Sequence, residues 1–514
     1  MIGGALSGAA TAILLLKDKP DLRILIVEKS PAFTRRVGEA TVEISGYFLM
    51  RVLGLTQHLN RHHLNKNGLR FWFYNERTQA LDHCSEIGGK FLSRVPSYLV
   101  DRSTLDEEVL RRAAEMGAKL WRPATVQKCE LNAGAQQFLT VKHNEQTHRI
   151  SARWVVDASG IAAMLSRQND WFRPNPDHPT TSAWSRWKNV KDFDDLALAQ
   201  KFPMWAKHCF GARGTATNHL MGDGWWAWWI QLKDGDVSIG VTFDQRLVDF
   251  PEEGSVGERL KAFLMRHPVA REMLADATWI EGDVHWRKNL PYFSTTYAGD
   301  GFVLVGDSGA FIDPFYSPGM DWITYSAHRA RDLILGQQSG EETQKLVMMH
   351  NQDFTNSYNR WFEALYKDKY QYFGDFELLK IAFLLDLGLY YFGVVRAPFN
   401  QGSAALSIAS FSTKRALPAY HFMSFYNRRL AQMARVRRLR GTLGKANDQH
   451  RFMFGGFTFA ANSLRHIVKA LGSWAWLEVT EGWRSWFLKD TDTTGSKSAK
   501  TVPASTSQVE NPKR

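Results

Sequence analysis

The stretch Gly306-Asp307-Ser308-Gly309-Ala310-Phe311-Ile312-Asp313-Pro314-Phe315-Tyr316-Ser317-Pro318-Gly319 concentrates more residues able to do chemistry than any other part of this 514-residue chain. An apolar, strand-like run at 302–305 delivers Gly306 and Asp307 to a turn. A carboxylate there can accept hydrogen bonds from sugar hydroxyls, and the glycines let backbone amides come close to a ligand. The amino terminus carries a second such constellation. Ile2-Gly3-Gly4-Ala5-Leu6-Ser7-Gly8 leads into an apolar helical run at 9–16, a loop at 17–21, a strand at 23–27, and then Glu28. Glu28 falls twenty positions after Gly8, where a dinucleotide fold places the acid that binds a ribose hydroxyl. Gly3, Ala5 and Gly8 occupy the three glycine positions of that fingerprint, and the methyl group of Ala5 crowds the place of the pyrophosphate.

The fingerprint should follow a strand of about five residues, yet only Met1 precedes Ile2. Of the two explanations, a start downstream of the natural one and a missing central strand, the first is expected. Losing a strand buried on both faces would leave its neighbours' backbone groups unpaired.

Phe311, Pro314, Ser317 and Gly319 reproduce an F-x-x-P-x-x-S-x-G pattern, and with it the chain resembles the flavin-dependent halogenases, a tryptophan halogenase-like family within the FAD-dependent monooxygenases. Three further segments agree. Trp226, Trp228 and Ile230 resemble the family's W-x-W-x-I-P signature, with Gln231 in place of proline. Gly38-Glu39-Ala40-Thr41 matches its G-E-A-T turn, whose Glu39 and Ala40 the resemblance places at the cofactor. Asn65-Lys66-Asn67-Gly68 is similar to the stretch supplying the lysine on which halogenation depends. Arg102, after Val100-Asp101, and Asp157, in Val155-Val156-Asp157-Ala158-Ser159-Gly160, resemble further flavin-contacting positions of the superfamily.

The resemblance implies a Rossmann-type FAD-binding α/β (α+β) fold and an enzyme using reduced FAD from a separate flavin reductase, O2 and halide to halogenate a small aromatic substrate. Lys66 and Ser317 are its implied catalytic residues. Gly3, Ala5, Gly8, Glu28, Glu39, Ala40, Arg102, Asp157, Gly306 and Asp307 are the implied cofactor contacts. Phe311, Pro314, Tyr316, Gly319, Trp226 and Trp228 fall on the halide and substrate side, where alternating indoles would wall the flavin off from the substrate chamber. Two departures stand out. Tyr316 takes the place of the glutamate before the motif serine in tryptophan halogenases, which favours a phenolic or pyrrolic substrate over free tryptophan. Pro318 lacks the backbone amide that would help bind halide, leaving Gly319 to act with other donors. A flavin monooxygenase without halogenation, or an inactive flavin-binding subunit, therefore stays open.

The remaining sequence sets the frame. Its length and 44% hydrophobic content allow a large core. Residues 1–340 read as the FAD-binding core with an inserted substrate-side sheet around 180–290, residues 341–488 as a helical region, and 489–514 as a disordered tail. Cys84, Cys129 and Cys209 show no metal or redox spacing and read as reduced thiols of a cytoplasmic protein. The apolar run at 381–395 is interrupted by Asp386 and reads as a buried helix, not a membrane span. The net charge is +12, and Arg428, Arg429, Arg435, Arg437, Arg438 and Arg440 crowd one helical stretch. That stretch is either a solvated face or a dock for an acidic protein or a phosphate group, the resemblance adding an acyl-carrier protein as the acidic partner. No nucleic-acid-binding module is recognisable.

Overall fold

The computed structural model describes residues 1–487 apart from 94, 210, 341, 455–456 and 459–460. The expected disordered tail at 489–514 lies outside the described residues.

The nucleotide half is built on a mostly parallel sheet. Leu25–Val27 pairs in parallel with Lys119–Trp121, and Val155–Asp157 with Phe302–Leu304. Between these pairs run residues 1–3. Ile2 bridges in parallel to both Val27 and Asp157, so the first residues sit where a central strand belongs and hydrogen-bond to both neighbours. The helix Leu6–Asp18 follows at once. Its residues from Gly8 to Leu16 are all buried, because the helices Arg102–Glu115 and Gly319–Gln338 pack against it. A run that is apolar all round needs such neighbours.

Among the described residues the second sheet has nine strands. From Thr278–Trp279 it passes through Thr180–Lys188, Val237–Asp244, Trp225–Gln231 and Thr217–Gly222 to Leu69–Phe73, Ser85–Gly88 and Phe452–Phe454, with His285–Arg287 paired to Thr180–Lys188. It is wider than the expected insertion at 180–290. Leu69–Phe73 joins it in parallel with Thr217–Gly222, and Phe452–Phe454, from the stretch expected to be helical, joins Ser85–Gly88. Such long-range pairing leaves no local periodicity to read.

The carboxy-terminal part is otherwise helical. Its spine, Phe376–Tyr390, continues through a wide turn to Gln401. At 26 residues the helix Phe376–Gln401 is longer than the apolar run suggested and, by length and composition, long enough to cross a membrane; 61% of its most apolar window is buried inside the protein. Asp386 on this helix accepts hydrogen bonds from Lys369, Tyr316 and Tyr426. The helix Leu464–Thr480 packs across it so closely that a Cβ on Gly388 would sit 2.6 Å from Ile467. The arginine stretch is not a free face either. Arg437 is buried against Asp375 and Glu481, Arg429 against Glu478, and Arg438 pairs with Asp223. Periodicity cannot reveal such inward pairing, since the partners lie far away in sequence.

Candidate functional site

Two glycine-rich segments meet at the head of the helix Leu6–Asp18. A Cβ on Gly8 would lie 2.0 Å from the carbonyl oxygen of Gly3, and one on Gly3, whose φ is +96°, 2.5 Å from that of Ala158. From the other segment, a Cβ on Gly306 would come within 2.9 Å of Ser7 Oγ. Glycine is required here by close backbone approach. Ala5 caps the helix with no side-chain hydrogen bond, which leaves the amides of its first turn open to an anion. Glu28, at the end of its strand, accepts from the amides of Gly4 (2.7 Å) and Ser30 (2.8 Å). Tyr292 donates to the main-chain carbonyl of Asp307 at 2.6 Å. The Asp307 carboxyl, pushed up by burial and pulled back by Arg102 and Arg287, stays partly open. Open amides, a free carboxyl and an acid beyond the second strand suit a dinucleotide.

Other expected contacts have different duties. Both carboxylate oxygens of the buried Asp157 accept backbone amides, from Ser159 (2.9 Å) and Leu165 (2.8 Å), so Asp157 holds its turn together. Arg102 grips Asp106 in a two-pronged pair at 3.0 and 3.1 Å, within the electrostatic reach of Asp307 and Glu39. Glu39 itself accepts from Arg186 at 2.9 and 3.1 Å, and burial pushes its carboxyl up to about 7. Ala40 bridges to Leu99, which pins the turn at 38–41 to the strand Tyr98–Leu99.

That pinning positions Lys66. The two-residue strand Leu64–Asn65 pairs with Tyr98–Leu99, the Lys66 amide donates to Ser97, and its Nζ donates to the Thr41 carbonyl at 2.8 Å. Lys66 is 3% exposed, and burial lowers its pKa to about 8 against the pull of Glu43 and Asp321. It lines a cavity of about 1070 Å³ together with Glu43, Asp321, Tyr316 and Pro318. Asp321 accepts from the Ser45 amide (3.1 Å) and the Tyr390 hydroxyl (3.0 Å), and burial pushes its carboxyl up to about 7. Tyr391 donates to Glu43. Sequence reading missed Glu43 and Asp321, although each stands two positions beyond a recognised motif, after Thr41 and Gly319.

The motif loop lies against this cavity. Tyr316 and Ser317 hold positive φ values of 67° and 55°, left-handed conformations that cost about 1–3 kcal/mol each and collect at functional sites. Tertiary contacts impose them: Tyr316 donates to Asp386 at 3.1 Å, and Tyr366 to the Phe315 carbonyl at 2.8 Å. Pro318 caps the helix Gly319–Gln338 at a position whose own amide that helix does not use, so Gly319 supplies the first amide donor of its opening turn. Phe311 and Pro314 are half-buried in the same loop.

The tryptophan strand departs from expectation. Trp226 and Trp228 are both core residues and do not line the cavity. The Trp226 indole donates to Tyr370, which donates to Asp313 (2.9 and 2.8 Å), and its ring packs edge-on against Phe315. The other face of the strand, Trp225, Ala227 and Trp229, is buried as well. Trp226 braces the motif loop from behind, while the Trp228 indole donates to Ser238 at 3.3 Å within the sheet, and neither lines the cavity, because the strand is central in its sheet and covered on both sides.

A family model described as tryptophan halogenase matches residues 77–367, more than half of the chain. Among curated proteins, the flavin-dependent halogenase armH5 of Armillaria mellea is 24% identical over 361 residues, covering 67% of this chain and 65% of that protein. The sulochrin halogenase gedL of Aspergillus terreus is 26% identical over 388 residues, covering 70% and 67%. The chain thus spans about two thirds of the length of these relatives. The crystal structure of halogenase PltM in complex with phloroglucinol and FAD superposes with a TM-score of 0.71 at 19% identity, covering 92% of this chain and 95% of that one, which establishes a shared fold. With the glycine cradle, the buried lysine and the strained serine loop carried on that fold, and the family model running through the tryptophan strand and the serine loop, the chain belongs to the tryptophan halogenase family.

Proposed function

We propose that this protein is a flavin-dependent halogenase acting on a phenolic or pyrrolic aromatic substrate, with reduced FAD delivered by a separate reductase. The observation that carries this reading is Lys66, a buried cation in the cavity wall, flanked by two carboxyl groups. Gly3, Gly8, Gly306, Glu28 and Asp307 would hold the dinucleotide, with Arg102 and Glu39 close by. Bound reduced FAD supplies the two electrons by which O2 and halide give hypohalous acid and water.

The chain's own residues would do the rest. The Lys66 ammonium donates a hydrogen bond to the hypohalous oxygen and aims the halogen at the ring. As the carbon–halogen bond forms and the oxygen–halogen bond breaks, that oxygen leaves as hydroxide and takes a proton from the Lys66 ammonium to become water. Asp321, whose carboxyl burial raises to about 7, or its neighbour Glu43 then accepts the ring proton, and a proton returns to Lys66. The Gly319 amide, at the head of its helix, is the halide donor that Pro318 does not provide. Tyr316 and the predominantly apolar cavity suit a neutral aromatic ring, in line with the phloroglucinol bound by PltM. A carrier-tethered substrate would have to meet Arg428, Arg435 and Arg440, since the other arginines of that helix are paired within the fold.

One feature favours a second reading. The Asp321 carboxyl belongs to the same helix turn as the Gly319 amide, and when ionised it opposes a halide there. A flavin monooxygenase without halide use would tolerate that arrangement. Mass spectrometry of reactions with reduced FAD, O2, bromide or chloride and a panel of phenols and pyrroles separates the two. Halogenated product sustains the proposal; hydroxylated product alone replaces it with the second reading.

A further inference from the structure

The helix Leu464–Thr480 and the short turn Gly482–Phe487 that follows carry an apolar face that no apolar element covers among the described residues; Trp486 meets only the guanidinium of Arg429, at 5.8 Å. Their inner side is occupied: Ile467, Leu471, Trp474 and Leu477 pack on the core, and Ala470 is buried. On the outer side Val468, Trp476, Val479, Trp486 and Phe487 are 67%, 68%, 75%, 74% and 76% exposed, and Leu464 and Trp483 nearly half. These residues recur at helical spacing along one stripe, so they form a continuous surface instead of scattered singles.

The charges sort as strongly as the apolar groups. This segment has two acids, Glu478 and Glu481, and both turn inward to the buried or partly buried guanidinium groups of Arg429 and Arg437. Arg465 and Lys469 stand exposed beside the apolar stripe, with Arg484 half-exposed at its end. The outer face therefore combines three tryptophans, a phenylalanine and aliphatic residues with cations alone. Indoles favour the boundary between lipid headgroups and acyl chains, and cations flanking an apolar helix face are drawn to anionic headgroups. A protein partner would need an acidic rim around an apolar groove; an anionic bilayer offers both over an unlimited area.

We propose that this face docks on the surface of an anionic phospholipid membrane, with the helix lying in the plane of the interface. The first turn of the helix also lines the catalytic cavity through Arg465 and His466. Docking would thus place that large, mainly apolar chamber beside the lipid from which a lipophilic aromatic substrate can partition. The docking surface does not depend on the halogenase chemistry, and its test measures none.

The full chain is mixed with sedimentable vesicles of phosphatidylcholine alone or phosphatidylcholine with phosphatidylglycerol, and the bound fraction is titrated. Binding is expected to be at least about tenfold tighter with the anionic lipid and to weaken as salt is raised. The variant Trp476→Ser/Trp486→Ser/Phe487→Ser is expected to lose binding about a hundredfold, and Arg465→Glu/Lys469→Glu about tenfold, with unchanged circular dichroism, since these side chains are exposed or flank the fold. Wild-type protein that ignores both vesicle types overturns the proposal. So does equal binding by the triple variant, or a wild-type dimer that the triple variant dissociates, which would assign the face to a second copy of the chain.

Discussion

The Nζ of Lys66 donates to the carbonyl oxygen of Thr41 at 2.8 Å, tying the one buried lysine of the cavity wall to the end of the turn at 38–41. The same turn accepts Arg186, from the nine-stranded sheet, at Glu39 and the Tyr98 amide at Thr41, so the position of the lysine is set where the turn meets that sheet and the strand Tyr98–Leu99. An ammonium in such a fixed place can aim a reagent; on a mobile surface chain it could not.

Lys66→Ala should therefore abolish halogenated product while flavin retention and oxygen consumption by the reduced enzyme continue, because the nucleotide cleft is untouched. Product assayed by mass spectrometry beside oxygen-electrode traces checks this. Halogenation at the parent rate would remove Lys66 from the reaction.

The pH dependence follows from two groups. The Asp321 carboxyl, raised to about 7, must ionise to accept a proton, so kcat/KM should climb as pH passes upward through about 7. Lys66, lowered to about 8, loses its ammonium above that value, so kcat/KM should fall again. The two steps belong to an interacting pair and are read as macroscopic values. Asp321→Asn should lower the rate and erase the acidic limb. In thermal unfolding it should also gain stability relative to the parent as pH rises from about 4 to 7: the folded carboxyl binds its proton more tightly than the unfolded one, so the parent loses stability over that window.

Gly8→Ala should cost flavin as well as stability. Its Cβ would sit 2.0 Å from Gly3 O, backbone that cannot swing aside, so the helix must part from the cradle. Flavin absorbance retained after gel filtration should fall by more than tenfold, and the melting temperature should drop. A variant that keeps its flavin would mean the cleft lies elsewhere.

Arg437→Ala should destabilise the fold by about 3–5 kcal/mol, since it strands the buried carboxylate of Asp375, which accepts two hydrogen bonds from that guanidinium at 2.8 Å. Arg428→Ala, on an exposed neighbour, should change stability by less than about 0.5 kcal/mol. Urea titrations compare the two directly. Equal effects would show that the ion-pair network around Arg437 is not structural.

Local sequence determined a great deal here. Gly3, Gly8 and Gly306 announced backbone contacts that no other residue fits, Glu28 fell at the distance one helix and one strand require, and the spacing of Phe311, Pro314, Ser317 and Gly319 identified the family. Each of these signals is carried within about twenty residues of chain. What tertiary structure decided is everything that depends on which side chain faces which. Trp226 became a brace and Trp228 a buried strand residue because their strand is covered on both faces, and Arg437 turned inward because Asp375 and Glu481, remote in sequence, wait there. Glu43 and Asp321 reached Lys66 through a turn and a helix that only the packed core brings together. The left-handed backbone at Tyr316 and Ser317 has the same origin. No glycine marks it, since the conformation is held by Asp386 and Tyr366 from the carboxy-terminal helices, and contacts over such distances leave no periodicity for a sequence to display.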